Sequence, residues 1–169
     1  MPAVAREPRD NPFHPIRCTD AELIRHLAAI LDDADTPPLF CTDPVYLGWR
    51  RRGRLLHGEW YCGGDLAAQF RAARNAVAGP GQPGDTLEIC LSHDYQPVRN
   101  LKDRRLSNSQ RGRRGLCIGL GEHLEHHAPS QMIASNRGFP RTVNRFLERR
   151  GLDLESFLAQ GGRLESFQA

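Results

Sequence analysis

Lysine, long apolar runs and closely paired cysteines are scarce or missing in this chain of 169 residues. Lys102 is its only lysine, so arginine supplies nearly all of the positive charge, and the net charge is a modest +3. No apolar run reaches the ~18 residues of a membrane-spanning helix. The first segment is polar and rich in proline, without the charged and then apolar order of a secretory signal, so we expect a cytoplasmic protein that does not contact the membrane.

The cysteines are five in number, widely spaced and never arranged as C-x-x-C. This pattern predicts neither a disulfide framework nor a zinc knuckle. Cys90 and Cys117 lie in apolar runs, where a thiol usually behaves as a small hydrophobic residue. Cys62 lies instead in a polar cluster, between Tyr61 and Gly63.

Motifs for phosphate binding and for serine nucleophiles give no support for those functions either. The chain has no P-loop and no G-x-S-x-G. Its G-x-G-x-x-G at residues 79–84 ends a predicted helix instead of following a strand, so nucleotide-binding and serine-hydrolase functions lack support. The basic segment 99–114 contains no aromatic residue, which argues against a stacking platform for single-stranded nucleic acid. We expect this segment to be a solvated loop or a lid over an anionic substrate, rather than a nucleic-acid contact.

The hydrophobic periodicity predicts a single α+β domain over residues 18–169, preceded by a flexible arm at residues 1–17. The sheet is expected to be mainly antiparallel and flanked by helices. The predicted helices cover residues 19–31, 66–77, 142–150 and 154–159, and the predicted strands cover residues 45–49, 55–61, 86–92, 116–120 and 163–167. Residues 99–114 are expected to form a long loop or a pair of short helices. Residues 122–128 are expected to be either a polar continuation of the preceding strand or a turn.

A polar cluster at residues 53–65 lies between an apolar run and the start of a predicted helix. Within it, His57, Glu59, Tyr61 and Cys62 supply an imidazole, a carboxylate, a phenol and a thiol. Glycines on both sides would let a ligand approach the backbone. Asp65 is suited to cap the helix that follows. Such a cluster at the end of a strand is typical of a functional site.

His57 and Glu59 form the first candidate pair, because residues two apart in a strand point to the same face. An imidazole and a carboxylate within reach of one another can act as an acid–base pair. We expect Trp60 and Tyr61 to desolvate the pair partly and to contact substrate, with a bulge near Gly58 bringing Tyr61 to the same face. The alternative is an ordinary ion pair on an exposed strand.

Three more residues are candidates for the same site. Cys62 follows a strand and precedes a helix N-terminus, which suits a nucleophile, although an inert buried thiol is the alternative. His93 ends the strand predicted at 86–92 and could act as a second acid or base, with Asp94 beside it contacting substrate. The alternative for His93 and Asp94 is a turn-forming pair.

A second group of histidines, His123, His126 and His127, has the spacing H-x-x-H-H. On a helix this spacing could place two metal ligands on one face. Short motifs of this kind often match by chance. We therefore predict neither a metal nor any other cofactor, and the sequence leaves metal binding by these histidines open.

The order of the segments matches a known pattern over residues 20–169. The pattern is a helix, a hairpin with a glycine-rich polar motif, an amphipathic helix, a strand ending in serine, a loop, a Gly-Leu-x-Ile strand, a helical pair and a terminal strand. Its clearest pieces are Pro44-Val45-Tyr46-Leu47, Gly53-Arg54-Leu55, Leu87-Glu88-Ile89-Cys90-Leu91-Ser92, Arg114-Gly115-Leu116-Cys117-Ile118 and Phe167-Gln168-Ala169. In this order the chain resembles the AMMECR-domain family.

The resemblance implies an α+β domain that binds or transforms small molecules, with residues 122–128 in a β-turn. The family signature is Leu-Arg-Gly-Cys-Ile-Gly, and the corresponding stretch here is Leu56-His57-Gly58-Glu59-Trp60-Tyr61. His57 therefore replaces an arginine and Glu59 a cysteine. A carboxylate transfers protons where a thiolate would act as a nucleophile, so the exchange favours acid–base chemistry.

The function predicted from these residues is a non-redox, cofactor-independent isomerase, cyclase or lyase, or a hydrolase, that acts on a small molecule as a tailoring step in biosynthesis. Glu59 is its acid or base, His57 the partner of Glu59, and His93 the opposing group. Arg104 and Arg105 of the basic segment would bind an anionic group of the substrate. The alternative is a non-catalytic adaptor that binds a protein or RNA through residues 99–114. The sequence leaves the substrate, and whether the chain forms a homo-oligomer, open.

Overall fold

A computed structural model describes residues 43–77, 79, 82 and 85–169, together with Arg25 and Ala29. The strands are β1 (Val45–Arg51), β2 (Arg54–Tyr61), β3 (Asp85–Leu91), β4 (His93–Pro97), β5 (Arg114–Leu120), β6 (His123–His127) and β7 (Arg163–Gln168). The helices are α1 (Leu66–Asn75), α2 (Pro129–Ala134), α3 (Phe139–Glu148) and α4 (Leu154–Ala159). Two short 3-10 turns, Arg104–Leu106 and Asn108–Gln110, lie between β4 and β5.

The first sheet has three antiparallel strands in the order β2-β1-β3. Residues of β1 alternate between its two faces, and Val45, Leu47 and Trp49 are buried against α1. Asp65 caps α1, since its carboxylate accepts a hydrogen bond from the backbone N–H of Ala67 at 3.0 Å. The helix contributes Leu66, Ala67, Phe70 and Ala73 to this core.

A bulge in β2 sets which of its residues face α1. Trp49 pairs with His57 but Arg50 pairs with Leu55, so Leu56 is the extra residue in β2. The bulge expected near Gly58 was meant to bring Tyr61 to the face of His57 and Glu59, whereas the observed bulge precedes all three residues and does not have that role. Beyond it the pairing is regular through Tyr61, which lies opposite Val45.

The second sheet has four antiparallel strands in the order β4-β7-β5-β6, and α2, α3 and α4 cover its outer face. Its central strand β5 directs Leu116 and Ile118 toward the helices, where they join one hydrophobic core. The helical residues of that core include Met132, Phe139, Val143, Phe146 and Phe157. The segment between β4 and β5 is held against the same core by Leu106.

The inner faces of the two sheets pack against each other through aromatic rings. The ring of Trp60 lies 5.5 Å from that of Tyr46 and 5.6 Å from that of Phe167, between ring centroids. Glycines make room for these rings: a Cβ at Gly115 would lie 2.1 Å from the Phe167 ring, and one at Gly58 would lie 2.4 Å from the Tyr46 hydroxyl. The described part of the chain therefore has four layers, with α1 outside the first sheet and α2, α3 and α4 outside the second.

The α+β class, the antiparallel sheets and the flanking helices agree with the sequence-based prediction. The structure differs locally from the prediction in three places. His93 and Asp94, for which a turn-forming pair was the alternative, belong to strand β4. Residues 122–128, expected as a polar continuation of the preceding strand or as a turn, contain the separate strand β6. Helix α2 was not predicted, because its six residues are too few to show a helical period.

Some predictions fall on residues that are not described. The arm at residues 1–17 lies outside the described part of the chain, as does the helix predicted at 19–31 except for Arg25 and Ala29, which are both helical. Within the described part, no helix has the length and apolar character needed to cross a membrane.

Replacing Gly115 by alanine should destabilise the fold by about 3 kcal/mol, at the upper end of typical overpacking penalties. The added methyl group would meet both the Phe167 ring and the backbone oxygen of His127, and neither has room to move. Urea unfolding of the variant checks this. Gly138→Ala is the matched control, because no atom lies closer than 3.8 Å to its added Cβ. Equal losses for the two variants would contradict the role given to the contact between the sheets.

Candidate functional site

The face of β2 that points toward α1 carries His57, Glu59 and Tyr61. Register places these three opposite Trp49, Leu47 and Val45, the residues of β1 that are buried under α1. Among the described strands β2 lies at the edge of its sheet, and its side chains are less covered than those of β1. Tyr61 reaches this face simply because it lies two residues beyond Glu59, and no bulge at Gly58 is needed.

The polar atoms of the three side chains lie within 3.7 Å of one another. The Tyr61 hydroxyl is 3.4 Å from Nε2 of His57 and 3.5 Å from Oε2 of Glu59, and the last two atoms are 3.7 Å apart. These distances are at the long end of hydrogen bonding. A small movement of any of the three side chains would close the contacts, so proton exchange among them is geometrically feasible.

The electrostatic setting keeps Tyr61 protonated. Partial burial raises the pKa of its phenol, and the negative charge of Glu59 raises it further. Tyr61 is therefore a hydrogen-bond donor at neutral pH, and the acceptor nearest to it with a full charge is the Glu59 carboxylate. The arrangement can pass a proton or share one, but it does not generate a phenolate.

Glu59 is more exposed than expected. Its side chain is 61% exposed and that of His57 is 22% exposed. Partial desolvation of Glu59 by Trp60 was predicted, and this prediction is wrong because Trp60 points to the opposite face. There its indole donates to the side-chain oxygen of Gln131 at 3.2 Å, within the layer between the sheets. Trp60 is therefore not placed to contact a substrate beside Glu59.

His93 lies apart from the His57–Glu59 pair. It begins β4 of the second sheet, directly after β3, and β1 separates β3 from β2. Two strand spacings of ~4.8 Å alone put it about 10 Å away. Its neighbour Asp94 accepts hydrogen bonds from Gln96 and Gln168, also in the second sheet. Neither residue joins the site on β2 in this structure.

Arg104 and Arg105 lie on the far side of both sheets from His57 and Glu59, because Leu106 anchors their segment in the core under the second sheet. Arg105 is also bound to the Asp103 carboxylate and to the carbonyl of Pro97. The structure therefore does not bring these arginines together with His57 and Glu59. Cys62 is exposed just beyond β2, whereas Cys90 and Cys117 are buried.

The buried thiols behave as the sequence suggested. Burial raises the pKa of Cys90 and of Cys117 to about 12, so both remain protonated and unreactive at neutral pH. They lie between the two sheets with Tyr46 and Phe167. Each acts as a small apolar residue in that layer.

The three histidines of residues 123–127 lie on a strand, so they do not share one helical face. His126 points between the sheets, and its ring lies 5.1 Å from that of Trp60. His127 points to the opposite face and approaches Glu125 at 3.6 Å. In the described part of the chain, no group of three or more His, Cys, Asp or Glu side chains is arranged to hold a metal ion.

Sequence reasoning missed the titratable groups that lie between the sheets. Tyr46 is fully buried, and no described residue makes a hydrogen bond to its hydroxyl. Burial lowers the pKa of His126 to about 4 and raises that of Tyr95. The alternation of Tyr46 with Val45 and Leu47 did indicate two buried faces of β1, but nothing local showed that β6 would supply a histidine to the second face.

Comparison with known proteins supports the fold. The chain is similar to an uncharacterized protein from Pyrococcus horikoshii in its crystal structure, with a TM-score of 0.53 and 13% sequence identity. The match covers 85% of this chain and 82% of that one. At this identity the similarity concerns the fold alone. No protein-family model matches the chain, and no curated protein matches it.

The burial of His126 predicts a loss of stability in mild acid. Unfolding returns its pKa from about 4 to the ordinary value near ~6.5, so between these values the unfolded chain binds a proton that the folded chain does not. The free energy of unfolding should therefore fall as the pH drops from about 6.5 to about 4. His127 acts in the same direction, since burial lowers its pKa too.

Urea unfolding of His126→Gln and of His123→Gln across this pH range is the measurement. His123 is exposed on the same strand, so its variant should keep the full pH dependence. The His126 variant should lose a large part of it. An unchanged slope in His126→Gln would show that this imidazole is not held neutral by burial.

Proposed function

We propose that the protein is an enzyme that transfers protons on a small organic molecule, without a redox cofactor, at His57, Glu59 and Tyr61. The reaction classes that fit are isomerisation, cyclisation, dehydration and hydrolysis, as in a tailoring step of a biosynthetic pathway. Membership of the AMMECR-domain family and a cytoplasmic location remain predictions. The proposal is carried by one observation, the approach of the Tyr61 hydroxyl to both the imidazole and the carboxylate.

The three groups differ in what they can do with a proton. Tyr61 is a neutral donor, since burial and the nearby carboxylate raise its pKa. Glu59 can accept a proton as a carboxylate or deliver one once protonated. Either ring nitrogen of a neutral imidazole can take part in proton transfer, one as donor and the other as acceptor, which suits His57 for the role of base. A donor and two acceptors within 3.7 Å form a set that could move a proton from one substrate atom to another.

The surroundings favour a substrate that approaches from the open side of the sheet. His57 is half-exposed and Glu59 is exposed on the strand, so their polar atoms can be reached from solvent. The substrate does not meet the arginines of residues 99–114 there. Its recognition would instead depend on the polar groups of the site and on the backbone at Gly63 and Gly64, whose φ angles of 74° and 92° suit glycine.

The structure gives less support to an adaptor that binds RNA through residues 99–114. Arg105 is paired with Asp103, and Arg114 donates to Ser166 and lies 3.9 Å from the Asp94 carboxylate. Arg111 donates to backbone and side-chain oxygens of the segment around α2. Guanidinium groups engaged in this way are less available to phosphate than a basic loop in the sequence suggests.

Glu59→Gln should reduce turnover roughly 10²- to 10⁴-fold, because it removes the proton acceptor and keeps the shape of the side chain. The assay incubates the protein with a pool of small metabolites in D₂O and follows mass, retention and deuterium content by mass spectrometry. Glu122→Gln, which changes another exposed carboxylate, is the control and should retain full activity. Both variants should keep the free energy of unfolding within about 0.5 kcal/mol. Turnover by Glu59→Gln at the normal rate would disprove the proposal.

A further inference from the structure

The outer edge of β2 is the clearest unpartnered feature of the described structure. At eight residues, β2 is the longest described strand, and within the described chain only β1 pairs with it. Leu55 and Leu56 on this strand are 39% and 41% exposed. Exposed edges of this length are templates for pairing with another strand, and proteins usually protect them with lysine, proline or a covering element. The bulge at Leu56 interrupts the first part of the edge. Beyond it, residues 57–61 contain no lysine, no proline and no further bulge, and Glu59 carries their one full charge.

We propose that two copies of the chain pair along β2, antiparallel and across a two-fold axis at Gly58, so that each copy completes the acid–base site of the other. The chemistry of the shared site rests on the proposed function. The pairing of the two copies does not, because it is argued from the unpaired edge of β2. It would extend the first sheet from three strands to six.

The side chains select the position of the axis. A two-fold axis perpendicular to the sheet leaves each side chain of β2 on the same face of the sheet in both copies. Residues directly opposite one another in antiparallel strands also point to the same face. The axis must therefore lie level with one residue of β2, which then faces the same residue of the partner, and not midway between two residues. An axis at His57 would oppose two imidazoles, and one at Glu59 would oppose two carboxylates, which is unfavourable. An axis at Gly58 places His57 opposite the partner's Glu59, and Glu59 opposite the partner's His57.

The same axis also suits the apolar residues. Leu56, which is exposed, comes to lie beside the partner's strand just outside the regular pairing, where part of its apolar surface would be covered. The bulge at Leu56 limits regular pairing to the part of β2 beyond it, which is the part that carries the site. Gly58 has no side chain and leaves the axis unobstructed.

Pairing would change the environment of Glu59. Since the axis is perpendicular to the sheet, α1 of both copies lies on the same side of the six-stranded sheet. His57, Glu59 and Tyr61 of both copies then line the floor between the two helices. A carboxylate that is 61% exposed in one copy alone becomes part of a two-walled crevice, and the site is incomplete without the partner.

Sedimentation velocity of the full chain tests the pairing without any knowledge of substrate. We expect a mass of twice 19.0 kDa for the natural sequence and of 19.0 kDa for Leu56→Lys, which places a charge at the edge near the axis. Leu124→Lys is the matched control, because Leu124 is 46% exposed on the edge strand of the other sheet, and it should remain a dimer. A monomeric natural sequence, or equal dissociation by both variants, would overturn the proposal.

Amide hydrogen exchange identifies what covers the edge. Alternate amides of residues 57–61 that do not bond to β1 should exchange slowly in the natural protein and rapidly in Leu56→Lys. Slow exchange in a monomer would mean that another part of the same chain covers β2, and would also overturn the proposal.

Mixing His57→Asn with Glu59→Gln separates the pairing from the chemistry. After subunit exchange, half of the dimers contain both variants, and each of these has one site with His57 from one copy facing Glu59 from the other. Activity should recover to about a quarter of the natural value. No recovery in a mixture that sediments as a dimer would reject the shared site and leave the pairing intact. Activity retained in monomeric Leu56→Lys would reject the shared site but not the proposed function.

Discussion

Aromatic rings from both sheets meet in a single layer, and glycines beneath them let the backbones come close enough for that contact. Phe167 occupies the space above Gly115, and Tyr46 lies across Gly48 and Gly58. The layer also fixes His126 and Trp60, whose rings are 5.1 Å apart. Because protein interiors tolerate few voids and little overlap, these contacts allow the two sheets essentially one relative position.

That position decides the orientation of β2, and with it the location of the candidate site. Once Trp60 is committed to the layer between the sheets, its neighbours Glu59 and Tyr61 must point the other way, toward the side of α1. The side chains of His57, Glu59 and Tyr61 are thus positioned by the aromatic residues between the sheets, which take no part in the proposed chemistry. The packing of Trp60 between the sheets also explains why its side chain is not at the candidate site, although it lies between Glu59 and Tyr61 in the sequence.

Much of the fold could be predicted from the sequence because most strands and helices show a clear period. The alternation in β1 and the capping residue Asp65 are local signals, and both correspond to the observed structure. It was harder to predict which residues the fold brings together at the candidate site. His57, Glu59 and Tyr61 are close in sequence and were grouped correctly, whereas His93 was expected beside them and lies in the other sheet. Which strand neighbours which is decided by long-range packing, and no local pattern reports it.

The position of the bulge has a consequence for how this strand could vary over evolution. If Leu56 did not stand out of the pairing, Gly58 would lie opposite Leu47 under α1, and Glu59 would be opposite Tyr46, inside the aromatic layer. The bulge therefore determines which residues of β2 point toward α1 and which point toward the second sheet. A substitution changes one side chain on one face of β2. Adding or removing one residue instead moves every side chain beyond that point to the opposite face. Insertions and deletions in this strand would be tolerated only in even numbers, or together with a second bulge that restores the phase.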